Sequence, residues 1–263
     1  PWSPQGKMWR VRPLHDSYDV VIIGGGAHGL AAAYYLAKDH GITDVAVLEK
    51  GYLGSGGSGR NTAIVRSNYR TPEGIPFYDA SVKLYEDLSG EMNYNVLFSQ
   101  HGHLTLGHTD RTMNGLRERA QRNQILGVNS RLIEPQEIKN KVPALDVSDH
   151  PRYPIMGALW HPPGGIIRHD AVVWGLARGA DRRGVHLHPK TEVTDILTEG
   201  SRVTGVVTPR GKIHTGTVLN ATAGWCSTVA AMVGLRLPVV THPLQALVTE
   251  PLKPFLDAIV VSA

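Results

Sequence analysis

A glycine-rich turn between an apolar strand and a helix constrains this chain more than any other feature. Residues 18–50 read YDVVIIGGGAHGLAAAYYLAKDHGITDVAVLEK, in which Gly24, Gly26 and Gly29 form the pattern G-x-G-x-x-G. Glu49 stands at the end of the second apolar run. Short β-branched runs on either side of a helical stretch are typical of buried parallel strands. The segment therefore predicts a Rossmann-like strand–helix–strand unit.

Each glycine of the pattern meets a separate steric demand of dinucleotide binding. Gly24 permits the tight turn, Gly26 lets the backbone approach a pyrophosphate, and Gly29 lets the helix pack closely on the strand. The free amides at the helix start then face the phosphates, and the carboxylate of Glu49 can accept a hydrogen bond from a ribose hydroxyl. NAD and FAD both contain adenosine diphosphate, so this unit alone does not distinguish them.

The loop after Glu49 favours FAD. Residues 51–69 read GYLGSGGSGRNTAIVRSNY, where an NAD-binding unit usually enters another helix. Its small residues let backbone amides approach a second stretch of ligand, and Arg60 and Asn61 can reach a phosphate or a ring edge. Ile64, Val65 and Tyr69 argue against a solvated linker, which would not carry them.

Composition excludes several other classes of protein. The 27 basic and 23 acidic residues give a net charge of +4 without a basic run, so we expect no nucleic-acid partner. No apolar stretch reaches the roughly 18 residues of a membrane span. The single cysteine, Cys226, fits a reducing compartment, and we expect a cytoplasmic protein. The pairs His101/His103 and His186/His188 have metal-ligand spacing on a strand, but no third ligand suggests itself, so we assign no metal site.

The remaining patterns predict an α/β protein with two domains. Helices are predicted over 76–88 and 111–126, a three-stranded β-meander from Thr191 onward, and a further strand pair that begins in 237–251 and that the chain end cuts short. We assign residues 16–90 and 150–226 to a Rossmann-like FAD-binding domain that carries the meander. Residues 91–149 and 227–263 form an incomplete α+β substrate domain. Because the chain ends in the strand-like run DAIVVSA, we expect a C-terminal part to be missing.

His169 opens a predicted helix in the stretch GGIIRHDAVVWGLARGADRRG, residues 164–184. The positive end of a helix favours a neutral imidazole, which is a usable nucleophile, and Asp170 can cap the helix. The residues alone leave open whether His169 is a nucleophile or an ordinary histidine.

Three of these motifs together resemble a known family. The turn GGGAHGLAAAYYLA, the loop GSGGSGRNTAIVRSNY and the stretch GGIIRHDAVVWG are similar to the beta subunits of heterotetrameric sarcosine oxidases, within the FAD-dependent amine and amino-acid oxidases. The resemblance covers about residues 18–248. It implies noncovalent FAD in the glycine-motif domain, FMN covalently attached to His169, and oxidation of sarcosine to glycine, formaldehyde and hydrogen peroxide. It also implies a larger alpha subunit, which carries NAD and tetrahydrofolate sites, and small gamma and delta subunits.

The resemblance also implies roles for individual residues. Arg66 matches the position that binds the substrate carboxylate in related amine oxidases, although a surface position or a contact with a flavin phosphate is the alternative. FAD contacts are implied for Gly24, Gly26, Ala27, His28, Gly29, Glu49, Lys50, Arg60, Asn61 and Ile64. Val193, placed in the first strand of the meander, would offer its backbone to the adenine. Gly224, in the turn NATAGWCS, would permit close approach of the dinucleotide.

Two other functions remain open at this point. One is another enzyme of the group, such as a dye-linked proline or glycine dehydrogenase subunit. The other is an electron-transfer subunit without a substrate site of its own. Related oxidases also carry a C-terminal segment that closes over the flavin and supplies a lysine, so we expect the chain as printed to bind flavin weakly and to be inactive alone.

Overall fold

A computed structural model describes residues 8–263. The strands, in chain order β1 to β13, are Val20–Ile23, Val45–Glu49, Ile64–Val65, His103–Gly107, Arg131–Ile133, Gly157–His161, Gly165–Ile166, His186–Pro189, Asp195–Glu199, Arg202–Thr208, Gly211–His214, Val218–Asn220 and Ile259–Ser262. The helices, α1 to α6, are Ala27–Asp39, Gly74–Met92, Asp110–Ile125, Pro135–Lys141, His169–Arg182 and Cys226–Ala231. The mixed α/β class predicted from the sequence is confirmed.

The described chain divides into two compact units: the residues up to 62 together with 169–246, and residues 63–168 together with 247–263. These boundaries lie 19 to 28 residues away from those of the predicted domains, because the segments 63–90 and 150–168 belong to the second unit and the segment 227–246 to the first. In particular, β3 hydrogen-bonds with β7. The assignment of one domain to FAD and the other to substrate stays a prediction.

The first unit contains the strand–helix–strand segment expected from the glycine turn. Its parallel sheet has the order β12-β1-β2-β8, and α1 packs against α5. Gly179 of α5 permits this close approach, because a Cβ there would lie 2.7 Å from the ring of Tyr34 on α1. The meander is also present, as an antiparallel sheet of β11, β10 and β9.

The second unit is built on a sheet of order β13-β4-β6-β5, in which β13 runs parallel to β4 and the other neighbours are antiparallel. Helices α3 and α4 pack against this sheet. Its core comprises buried residues of the sheet, of α4 and of nearby loops: Leu104, Leu106, Ile133, Ile138, Val142, Ile155, Ala158 and Ala258.

Three local predictions were wrong. Residues 237–251 form no strand pair, and most of their side chains are exposed. Val193 lies before β9 and not, as predicted, within the first strand of the meander. The N–H of its neighbour Thr194 nevertheless donates to the carbonyl of Val207 over 2.9 Å. His101 lies outside β4, which begins at His103, so these two histidines do not share a strand. Among residues 8–263, no helix has both the length and the apolar character needed to cross a membrane.

Candidate functional site

The glycine turn of the first unit has space for no other residue at two of its positions. Gly24 has φ +111°, and a Cβ there would lie 2.5 Å from the carbonyl oxygen of Ala221. A Cβ on Gly29 would lie 2.0 Å from the carbonyl oxygen of Gly24. Because real Cβ atoms do not approach backbone so closely, Gly29 lets the start of α1 lie against the end of β1, and Gly24 lets that turn lie against the residue that follows β12.

The first amide of α1 is directed out of the helix towards an acceptor. Ala27 N–H donates to Ser58 Oγ over 2.9 Å, and a Cβ on Gly26 would also lie 2.9 Å from that oxygen. Ser58 belongs to a short 3₁₀ turn, Gly57–Gly59, in the glycine- and serine-rich loop. Ser58 Oγ thus occupies the place beside the helix start where a phosphate oxygen accepts in a dinucleotide-binding unit. His28, the next residue of the helix, is exposed.

The Glu49 carboxylate lies against the glycine turn. Its Oε2 accepts the Gly25 N–H over 2.8 Å, and its Oε1 accepts the Gly51 N–H over 2.7 Å. Oε1 also accepts from Ser55 Oγ over 3.4 Å, whereas Oε2 keeps a further lone pair and so has capacity for a hydroxyl donor. The position of Glu49 therefore fits the expected ribose contact, which stays a prediction.

Several other residues expected at the dinucleotide also belong to the first unit. Lys50 Nζ lies 3.6 Å from the centre of the Trp225 ring, a cation–π contact between β2 and the turn that contains Gly224. Asn61 Nδ2 donates to the carbonyls of Gly57 and Ser58 over 3.0 and 2.8 Å, which fixes the 3₁₀ turn.

Solvent exposure differs among three further residues that were expected to contact a flavin, Arg60, Val193 and His169. Arg60 is exposed, and Val193 is packed into the hydrophobic core of the first unit. His169 is half-buried and is the first residue of α5. Beside it, Asp170 Oδ1 accepts the Ala171 N–H over 2.9 Å, so the aspartate does bond an amide of the first turn. The covalent bond of His169 to FMN stays a prediction.

In the second unit, Arg66 directly follows β3, where Ile64 pairs with Ile166. Its Nη1 donates to Asn68 Oδ1 over 3.0 Å, and its guanidinium lies 4.3 Å from the ring centre of Tyr69. Tyr69 in turn stacks on Tyr78 at 3.6 Å. No carboxylate within residues 8–263 forms an ion pair with Arg66, so its charge is available to an anion.

A buried histidine holds the residue next to Arg66. Ser67 N–H donates to His161 Nε2 over 3.2 Å, while His161 Nδ1 lies 2.8 Å from the carbonyl of Asn129. These partners require neutral imidazole with the proton on Nδ1. Burial lowers the pKa of His161 to about 4, and the positive charges of Arg66 and Arg119 act in the same direction. His161 therefore stays neutral over the physiological range and fixes the backbone that carries Arg66.

His103 lies opposite His161 across β4 and β6. Burial, together with Arg66 and Arg119, lowers its pKa to about 3. Its Nδ1 and the Nδ2 of Asn68 are buried and have no hydrogen-bond partner in the described part of the chain. The surroundings of Arg66 are therefore rich in donors and positive charge.

The sequence did not indicate Ser58, Asn68, Tyr69 or His161 as site residues. Ser58, Asn68 and Tyr69 fall inside the loop already identified, but the pattern gives none of them a role at the site; Tyr69 only argued against a solvated linker. His161 is distant in sequence from the loop that it supports.

Comparison with known proteins agrees with this geometry. The FAD dependent oxidoreductase family matches residues 19–261. The chain is 49% identical to sarcosine oxidase subunit beta of Rhizobium meliloti, over 98% of this chain and 61% of that protein. It is 47% identical to the subunit of the same name from an Arthrobacter species, over 97% of this chain and 63% of that protein.

A solved structure is similar as well. L-proline dehydrogenase from P. horikoshii superposes with a TM-score of 0.85 and 31% identity, over 95% of this chain and 65% of that one. The chain thus spans about three fifths of the length of the curated relatives that it matches. The resemblance inferred from the three motifs is confirmed.

Proposed function

The chain belongs to the FAD-dependent oxidoreductase family, and from that premise we propose that it is part of the beta subunit of a multi-subunit sarcosine oxidase. The reaction is the oxidative demethylation of sarcosine to glycine, formaldehyde and hydrogen peroxide. The similarity to two subunits of that name supports the choice of substrate and of a multi-subunit enzyme. The partners would be a larger alpha subunit and small gamma and delta subunits, and the compartment would be the cytoplasm.

The observation that carries the proposal is the guanidinium of Arg66. It is held by Asn68 Oδ1 and by the ring of Tyr69, and no carboxylate of residues 8–263 neutralises it. A planar guanidinium binds a carboxylate through two parallel hydrogen bonds. Arg66 would therefore hold the carboxylate of sarcosine and so orient the N-methyl group.

The residues of the first unit fit noncovalent FAD. The amides at the start of α1 would hold its pyrophosphate, and Glu49 would accept from its ribose. Lys50, Arg60, Asn61, Val193 and Gly224 complete the proposed contacts of the first unit, and the resemblance implies Ile64, which belongs to the second unit, as a further one. His169 would carry FMN covalently, and NAD and tetrahydrofolate would bind to the alpha subunit. When bound, FAD supplies the acceptor for the hydride equivalent that leaves the N-methyl carbon.

The decisive experiment is anaerobic reduction of the complete, co-expressed complex. We expect sarcosine to bleach the flavin absorption faster than equal concentrations of L-proline or glycine. A flavin that stays oxidised with all three amines would show that the chain is an electron-transfer subunit and would refute the proposal. Stoichiometric hydrogen peroxide from sarcosine in air completes the evidence for an oxidase.

A proline dehydrogenase is the second candidate, because the solved structure with a TM-score of 0.85 is one. It predicts the opposite preference, with L-proline reducing the flavin and an artificial dye replacing oxygen as the acceptor. The same anaerobic titration therefore decides between the two enzymes.

The attachment of FMN to His169 is tested separately. We expect the intact mass of the subunit to exceed its sequence mass by one FMN, and acid precipitation to leave that flavin with the protein. In His169→Ala all flavin should appear in the supernatant. Release of all flavin from the unsubstituted complex would refute covalent attachment.

A further inference from the structure

Two adjacent residues of α2, Tyr78 and Asp79, contact the loop that carries Arg66. The ring of Tyr78 stacks on that of Tyr69, with ring centres 3.6 Å apart, and Tyr69 lies against the guanidinium of Arg66. Asp79 Oδ1 accepts the hydroxyl hydrogen of Ser67 over 3.1 Å. Ser67 is completely buried. Helix α2 therefore holds the loop at two points, the residue after Arg66 and the ring beside its guanidinium.

Ser67 has two hydrogen-bond donors, and Asp79 gives each of them an acceptor of its own. The N–H of Ser67 donates to His161 Nε2 over 3.2 Å, and its Oγ lies 3.4 Å from the same nitrogen. Nε2 of a neutral imidazole has one lone pair, so it can serve only one of these donors well. The hydroxyl bonds to the Asp79 carboxylate instead, because a charged acceptor makes the stronger hydrogen bond. The backbone N–H thereby keeps His161, which fixes the chain next to Arg66.

The charge of Asp79 is balanced without the use of Arg66. Its Oδ2 lies 2.7 Å from Nζ of Lys83, one helical turn further along α2. The side chain of Lys83 is 71% exposed, so this ion pair contributes little to stability. Within residues 8–263 no ion pair joins Asp79 to Arg66. The carboxylate therefore acts on Arg66 through Ser67 and leaves the guanidinium charge to a ligand.

We propose that Asp79 is a positioning residue for the substrate carboxylate, because it holds Ser67 and thereby the backbone that directs Arg66. This inference rests on the proposed binding of the sarcosine carboxylate by Arg66. In Asp79→Ala the Ser67 hydroxyl loses its acceptor and turns to His161 Nε2, where it competes with the Ser67 N–H. The backbone next to Arg66 is then less firmly held, and the alignment needed for two parallel hydrogen bonds to a carboxylate is lost.

The test uses the complete, co-expressed and flavin-loaded complex. Its KM for sarcosine is compared with the Kd of methoxyacetate, a carboxylate with an ether oxygen in place of the amine nitrogen, measured by perturbation of the flavin absorption. We expect Asp79→Ala to raise both constants about tenfold, the loss typical of a hydrogen bond to a charged group. kcat and flavin content should change by less than about twofold, because binding alone is weakened. A merely structural role would instead lower flavin content or the midpoint of thermal unfolding.

Three further variants separate the role of Asp79 from general effects of substitution. Asp79→Asn keeps an oxygen acceptor for the Ser67 hydroxyl and should raise both constants by less than about threefold. Lys83→Ala removes only the other partner of Asp79 and should change them by less than about twofold. In a chain that already carries Ser67→Ala, Asp79→Ala should raise neither constant further, because the hydroxyl through which Asp79 acts is gone.

Two results with an active complex would overturn the proposal. One is equal KM and Kd in Asp79→Ala and the unsubstituted complex. The other is a tenfold rise that persists when Ser67→Ala is already present, since Asp79 would then not act through Ser67. An unsubstituted complex that is not reduced by sarcosine and does not bind methoxyacetate would refute the proposed function, and with it the role of Asp79, before any variant is compared.

Discussion

At the scale of single residues, Arg66 has a planar guanidinium that lysine cannot reproduce. Its guanidinium stacks on Tyr69 and bonds Asn68, and its planar shape matches a carboxylate. In the complete complex, we expect Arg66→Lys to raise KM for sarcosine by about tenfold or more, the cost of one lost bidentate contact. FAD content should stay unchanged. Arg117→Lys, at an exposed position of α3, is the control, and an unchanged KM in Arg66→Lys would refute the substrate role.

A substitution at Asn68 tests the role of the Arg66 charge in a second way. Its Oδ1 lies 3.0 Å from Arg66 Nη1, and the residue is completely buried. Asn68→Asp keeps the shape but places a permanent counter-charge beside Arg66, which then competes with the substrate carboxylate. We expect KM for sarcosine to rise with little change in thermal stability. A KM equal to that of the unsubstituted enzyme would mean that the charge of Arg66 does not act on the substrate.

At the scale of elements, the junction of β1 and α1 depends on glycine for space. A Cβ on Gly29 would lie 2.0 Å from the carbonyl oxygen of Gly24, so Gly29→Ala must displace the helix. We expect loss of most FAD and a fall in stability of about 1–3 kcal/mol, as for overpacked sites. Gly90→Ala is the matched control, because Gly90 lies inside α2 with nothing within 4 Å of its Cβ position.

The two glycine substitutions should change the free energy of unfolding in opposite directions. Alanine has the higher helix propensity, so Gly90→Ala should raise the free energy of unfolding by about 0.4–1 kcal/mol. Flavin content per subunit and the midpoint of thermal unfolding measure both effects. Full FAD occupancy in Gly29→Ala would contradict the proposed role of the turn.

The accuracy of the sequence-based predictions also varies by element, for physical reasons. The glycine turn, α1 and the meander follow from periodicity and turn chemistry, which are local. Helix α2 begins and ends outside the predicted 76–88, because the Gly74 N–H bonds to Thr71 Oγ1 at its start and Asn93 is left-handed at its end, neither of which produces an apolar pattern. The β3–β7 pairing joins residues about a hundred positions apart and has no local signal.

The same distinction applies to the candidate site. Arg66 could be identified from its motif, whereas its supports could not. His161 contacts Ser67 across 94 positions, and Arg119 reaches Asn68 across 51. In the sequence, Arg119 resembles the other arginines of the polar helix α3. Only tertiary packing distinguishes the buried guanidinium from the exposed ones.

At the scale of the whole molecule, buried neutral histidines make stability depend on pH. Burial lowers the pKa of His103 to about 3 and those of His161 and His188 to about 4, from an ordinary value of 6.5. Above pH 6.5 both the folded and the unfolded chain hold these rings neutral. As pH falls below 6.5, the unfolded chain takes up protons that the folded chain excludes, so stability is lost progressively down to about pH 4.

We expect the free energy of unfolding to fall by about 2 kcal/mol for each of the three buried histidines when the pH is lowered from 7 to 5. Urea unfolding followed by tryptophan fluorescence at both pH values measures the loss. Glutamine in His161→Gln keeps an acceptor for Ser67 and a donor for Asn129 but does not titrate. The free energy of unfolding of this variant should therefore fall by about 2 kcal/mol less between pH 7 and pH 5 than that of the unsubstituted chain. His242→Gln, at an exposed position, is the control and should leave the pH dependence of stability unchanged. If His161→Gln and the unsubstituted chain lose equal stability, protonation of His161 does not contribute, and its neutral state is not what holds the loop that carries Arg66.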